Sequence, residues 1–220
     1  MSHTWKINSF FSGCEILTWL NISNWDTSGI TEMDCAFYCC KKLEELDLSH
    51  WDVSNVRTMN ELFRYAEKLK SANLSSWDTP NLESFCNLFC ECPSLKFVDI
   101  SNFDVSMVKS FNSLFYGCRS LKEVNLANWN TINAEDMSEM FRGCKTLQNV
   151  NVSNWRVDNV TAFNLMFEDC WRIPAVDVSK WNVQNLNSCY GMFKNCRALR
   201  TELTYLPCRQ HRYRGHFICP

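Results

Sequence analysis

The sequence is short of the features that would place it quickly in a functional class. No apolar run approaches the roughly 18 residues that a membrane span requires. The formal net charge is −2. That leaves out the overall positive excess of a nucleic-acid binder, so no nucleic-acid partner is expected. From Met1 to Phe11 there is one lysine and no apolar stretch of signal-peptide type. The stretch does not read as a secretory signal, and the expected setting is intracellular or inside a virus particle. No nucleophile motif, phosphate-binding loop or paired-carboxylate motif stands out, so an enzyme is not expected.

What the chain does have is a repeat. Trp25, Trp51, Trp77, Trp129, Trp155 and Trp181 are spaced by 26 residues or a multiple of it, and Phe103 fills the one gap. Phe37, Phe63, Phe89, Phe115, Phe141, Phe167 and Phe193 keep the same period, as do the leucines from Leu17 through Leu199, with Ile173 among them. Fixed periods of this length mark stacked repeats. Each repeat reads in two halves. The first, as in Leu43, Leu46, Leu48, Ser49 and Trp51, ends in a period-two alternation and predicts a short strand. The second, as in Met59, Leu62, Phe63, Ala66 and Leu69, has apolar offsets of three and four and predicts a short helix.

One strand and one helix cannot bury their own apolar faces, but stacked turns can. The expected fold class is therefore α/β: a solenoid with one short parallel strand and one short helix per 26-residue repeat, adjacent strands lying about 4.8 Å apart. Residues 1–199 form a single solenoid, with a helical half-repeat over 5–17 followed by seven repeats. Residues 200–220, where position 207 holds Pro207 instead of Trp, are a C-terminal cap or tail.

The motif L-x-x-L-D-L-S-x-W-D-V-S-N-V-x-x-M-x-x-L-F, seen at Leu43–Phe63, resembles the BspA-like leucine-rich repeats, also known from mycoplasma surface lipoproteins, protists and large DNA viruses. The resemblance covers residues 7 to about 199. It implies a right-handed leucine-rich-repeat solenoid without catalytic residues, serving adhesion or protein binding. A protein-interaction or structural scaffold, such as a component of a virion or surface layer, is the function it suggests. A secreted adhesin is an alternative.

Fourteen cysteines are a high count. Seven of them, Cys14, Cys40, Cys92, Cys118, Cys144, Cys170 and Cys196, follow the period, with Ala66 in the gap. Residues in register point the same way about 4.8 Å apart, whereas disulfide-bonded Cβ atoms converge to about 3.8 Å. Free, buried thiols are expected there. Cys208, His211, His216 and Cys219 read C-x2-H-x4-H-x2-C, a spacing that could hold zinc in a C-terminal module; a Cys208–Cys219 disulfide and a disordered tail are the rival readings. The outward strand position varies from repeat to repeat. It carries Trp19, Glu45, Phe97 and Glu123, which with Trp171 are the candidate partner contacts.

Overall fold

The computed structural model describes residues 4–200. It is a solenoid in which every turn lies in register with the next by 26 residues. Seven short strands are all parallel: β1 (Trp5–Lys6), β2 (Ile30–Glu32), β3 (Glu45–Asp47), β4 (Ser71–Asn73), β5 (Phe97–Val98), β6 (Glu123–Val124) and β7 (Asn149–Val150). Strands β3, β4 and β5 form one ladder and β6 and β7 another. Glu45 lies opposite Ser71, and Ser71 opposite Phe97; Glu123 lies opposite Asn149. The expected strand is thus present in five repeats, with Leu46, Ala72, Val98, Val124 and Val150 turned into the core, while the equivalent segments 19–21 and 175–177 form none. Slipping the register by one would turn these apolar side chains to solvent.

A second parallel ladder, not read from the sequence, runs along another edge of the coil. It begins with β1 against β2 and continues as single bridges from Glu32 to Thr58 and Ser84. It resumes from Ser110 through Asp136 and Ala162 to Ser188.

The expected helix does not form: no helix occurs among the described residues, including the half-repeat over 5–17. The second half of each repeat is a ribbon of linked β-turns. In one turn the amides of Ala36, Tyr38 and Cys40 donate to the carbonyls three residues back. The intervening amides of Met33, Cys35, Phe37 and Cys39 donate across to Thr58, Asn60, Leu62 and Arg64 of the next turn. A helix would use all of them internally. Cys35 and Cys39 have φ of 58° and 56°, at the third position of their turns, as a type II turn requires. The pair recurs with the repeat, for example as Glu61 and Tyr65, or Glu139 and Gly143. The ribbon buries Met33, Ala36, Phe37 and Cys40, the same offsets that one helix face would bury. That coincidence is why the sequence reads as helix.

Between the ladders and the ribbon lies one continuous core. Eight phenylalanine rings, Phe11 through Phe193, stack with centroids 5.2 to 5.7 Å apart. The tryptophan column is similar: Trp129, Trp155 and Trp181 stack at 6.3 and 6.4 Å. Trp77, Trp129, Trp155 and Trp181 each donate their indole N–H to a carbonyl 29 residues earlier. The corresponding nitrogen of Trp51 is buried without a partner.

Candidate interaction surfaces

Polar side chains that repeat with the period are taken up by the scaffold. In the row from Asn21 to Asp177, the side-chain oxygen accepts from the amide two residues on, as Asp47 does from Ser49 at 3.0 Å and Asp177 from Ser179 at 3.0 Å. These are Asx-turns that shape the corner after the strand. The serine bonds hold Asp47 and Asp177 below the usual aspartate range. Asn55, Asn81, Asn133, Asn159 and Asn185 donate to carbonyls of the preceding turn. Position 107 of that column holds Met107, which is exposed.

The period-bound cysteines are more than small apolar fillers. Cys92, Cys118, Cys144 and Cys170 each donate Sγ–H to a phenylalanine carbonyl 29 residues earlier, at 3.0 to 3.2 Å. Cys40 and Cys196 do the same toward Phe11 and Phe167. A thiol is a weak donor, but these oxygens lie in the core where water cannot reach them. Burial pushes the Cys40 thiol up to about 12, and those of Cys118 and Cys170 well above the ordinary value. Off this column, Cys90 is raised to about 11, mainly by burial. A reactive cysteine needs the opposite shift, toward thiolate. The donor role has no sequence signal beyond the column itself, since Ala66 occupies one of its positions.

The variable outward row is where the chain departs from its own repeat. Glu45, Phe97 and Glu123 are brought onto one exposed edge of the strand ladders by their register. Trp19 occupies the same register position in the first turn and is 73% exposed; Phe97 is 57% exposed. Trp171 is not on this row. It sits at the exit of the turn ribbon, half-buried, with Lys145 Nζ 4.2 Å and the Arg197 guanidinium 4.5 Å from its ring centre. Its indole N–H reaches Asp169 at 3.4 Å. Trp171 is therefore already occupied by cation–π contacts within the chain.

A charged cluster on the ribbon was not anticipated. Glu168 is 3% exposed, with Arg142 Nε 2.6 Å from one carboxylate oxygen and Lys194 Nζ 2.7 Å from the other. The Arg142 Nε–H does not point along its contact, so that oxygen has an ion pair without a hydrogen bond. Arg142 also binds Glu139 at 2.8 Å and lies over the Tyr116 ring. Aligning the repeats would have shown Tyr116, Arg142, Glu168 and Lys194 in one column. Cys208, His211, His216 and Cys219 lie outside the described residues. Among the described residues no group of three or more His, Cys, Asp or Glu is arranged to hold a metal ion.

The family model described as "Mycoplasma protein of unknown function, DUF285" matches residues 5–124 and 113–210. The chain belongs to this family. It is of the BspA-like leucine-rich-repeat type that its motif resembles. No curated protein matches it. Among solved structures, the leucine-rich repeat protein of T. pallidum is similar at 23% identity and a TM-score of 0.54, over 82% of this chain and 77% of that one. This likeness shows the leucine-rich-repeat solenoid fold. A leucine-rich repeat protein from Eubacterium ventriosum matches at 15% identity and a TM-score of 0.47, over 86% of this chain and 60% of its own.

Proposed function

We propose that the protein is a non-enzymatic scaffold that binds other proteins along the exposed flank of a rigid solenoid, as a free-standing recognition surface or packed within a larger assembly. One observation carries this reading. Successive turns have the same backbone and core, yet the outward row changes from Trp19 to Glu45, Phe97 and Glu123. Exposed aromatics on a rigid frame are the side chains that anchor protein interfaces. The upward shift of the buried thiols supports a non-catalytic role for them. An intracellular or intravirion setting accords with such thiols, which persist in reducing surroundings.

The test is a photo-crosslinking amino acid placed at Phe97, and separately at Lys109 as a position away from the row, in cells that make the protein. A discrete partner trapped from position 97 and not from 109 is the expected result. A chain that stays uncrosslinked at 97 and runs as a lone monomer in native mass spectrometry overturns the proposal.

A further inference from the structure

The net charge of −2 conceals a strong segregation. Residues 4–92 carry seven Lys and Arg against thirteen Asp and Glu, whereas residues 93–200 carry twelve against ten. Most of the surplus cations fall on one line. The corner where the turn ribbon passes into the strand recurs as residues 93–96, 119–122, 145–148, 171–174 and 197–200. Those stretches hold Lys96, Arg119, Lys122 and Lys145, then Arg172, Arg197 and Arg200, and no Asp or Glu at all. The same corner in the first turns is different. It has Glu15, Glu44 and Glu67 among its lysines, and Lys41 is paired with Glu15 at 2.7 Å.

The 26-residue register turns this pattern into a ridge. Successive turns lie about 4.8 Å apart, so five turns make a line of cations about 19 Å long. All seven except Lys145 are exposed. Arg119 has a loose contact with Glu91 at 3.9 Å. The other six make no ion pair with a described residue. Like charges this close repel one another, at a cost that an anionic partner relieves. At one edge of the ridge Lys145 and Arg197 rest against Trp171, which fixes two of the charges in place.

We infer that this ridge, from Lys96 to Arg200, is the docking site of an acidic peptide segment on a protein partner. The inference rests on the scaffold reading above and gives it a place and a chemistry. The finite length of the ridge favours a peptide. About six extended residues at roughly 3.3 Å each span it. A long nucleic acid or a broad anionic membrane would run on past the ridge to the N-terminal turns, where acids outnumber bases. Four of the seven cations are arginines, whose forked donors match carboxylates in pairs.

The test uses fluorescein-labelled hexaglutamate, followed by fluorescence anisotropy with the full chain. Saturable binding is expected at about 50 mM salt, weakening steeply by about 300 mM as ion contacts are screened. The variant Lys122→Glu/Arg172→Glu/Arg197→Glu should bind at least about tenfold more weakly. The control Lys42→Glu/Lys68→Glu, on the same corner in the first turns, should change by less than about twofold. Matching circular-dichroism melts establish that both variants fold. No saturable binding at low salt, or equal loss in the control, overturns the inference. So does tighter binding of oligothymidylate or of phosphatidylserine vesicles through the same residues, which would assign the ridge to a different partner. If crosslinks from position 97 persist in the ridge variant while hexaglutamate fails to bind the native chain, the scaffold reading stands and only the ridge assignment falls.

Discussion

At the scale of single residues, the cysteine column gives the sharpest expectations. Most phenylalanine carbonyls on it accept from the amide three residues on, as Phe37 does from Cys40 at 3.2 Å and Phe115 from Cys118 at 3.1 Å. From Phe11 to Phe167 these carbonyls also accept from the thiol of the next turn, except at Phe37, where Ala66 stands in the thiol's place. Cys144→Ala should therefore cost about 1 kcal/mol, the lost Sγ–H bond to Phe115 being weak and the Cys118 amide still donating to that carbonyl at 3.1 Å. Ala66→Cys should stabilise by a similar or smaller amount, because it completes the column at a position already shaped for it. Urea denaturation checks both; a stabilising Cys144→Ala would contradict the donor role. The same thiols set an alkaline limit. Their folded pKa values are raised above 9.0, the value that unfolded thiols approach, so the folded state holds its protons more tightly at high pH. Their contribution is fully present below pH 9 and is lost as pH rises from 9 toward 12 and beyond. Thermal melts between those limits should fall steeply, and less so in a variant with two column cysteines replaced by alanine. That the cysteines would be buried could be read from their period and from Ala66. That they donate hydrogen bonds could not, because the acceptors lie 29 residues away on another turn.

At the scale of the element, the turn ribbon explains where sequence reasoning succeeds and where it fails. Offsets of three and four correctly pick out Met59, Leu62, Phe63 and Ala66 as core. They do not say whether the amides bond within the segment or across to a neighbour, and here alternate amides cross. The decisive signal is conformational. Two positions per turn have positive φ, and twelve described residues that are not glycine adopt it. L-residues enter that region at a cost of about 1–2 kcal/mol each, recovered here through hydrogen bonds to the next turn. Gly117 and Gly143 sit at such positions, which a helix reading takes as C-terminal caps. Gly143 has φ of 76°, and a Cβ there would meet nothing closer than 3.6 Å. Gly143→Ala should thus cost strain alone, about 1–2 kcal/mol, and lower the melting temperature by about 2–8 °C. A helix capped at Gly143 would share that sign; Asn87→Gly separates the two, since with φ of 58° it should be neutral or stabilising in the ribbon but cost up to about 1 kcal/mol in a helix interior.

At the scale of the whole molecule, the stack is one-dimensional: each turn touches only its neighbours, and stability is a sum over interfaces. The phenylalanine column runs through all of them without a break. Phe115 is fully buried between Phe89 and Phe141, at 5.7 and 5.6 Å, whereas Phe193 is only partly buried against Phe167 at 5.4 Å. The period makes the two look equivalent in sequence; position in the stack separates them, as it separates the ridge cations from their paired counterparts in the first turns. Phe115→Ala opens a cavity that neither neighbouring turn can close and should cost about 3–5 kcal/mol. Because it weakens an interface in the middle, it should also uncouple the two halves. Hydrogen exchange would then protect amides of the turns on either side unequally, and the urea transition would broaden with a lower m-value. Phe193→Ala should cost less and leave the slope unchanged, since an end turn can fray without dividing the rest. Equal costs, or an unchanged slope for Phe115→Ala, would mean that the turns are coupled over longer distances than nearest-neighbour packing carries.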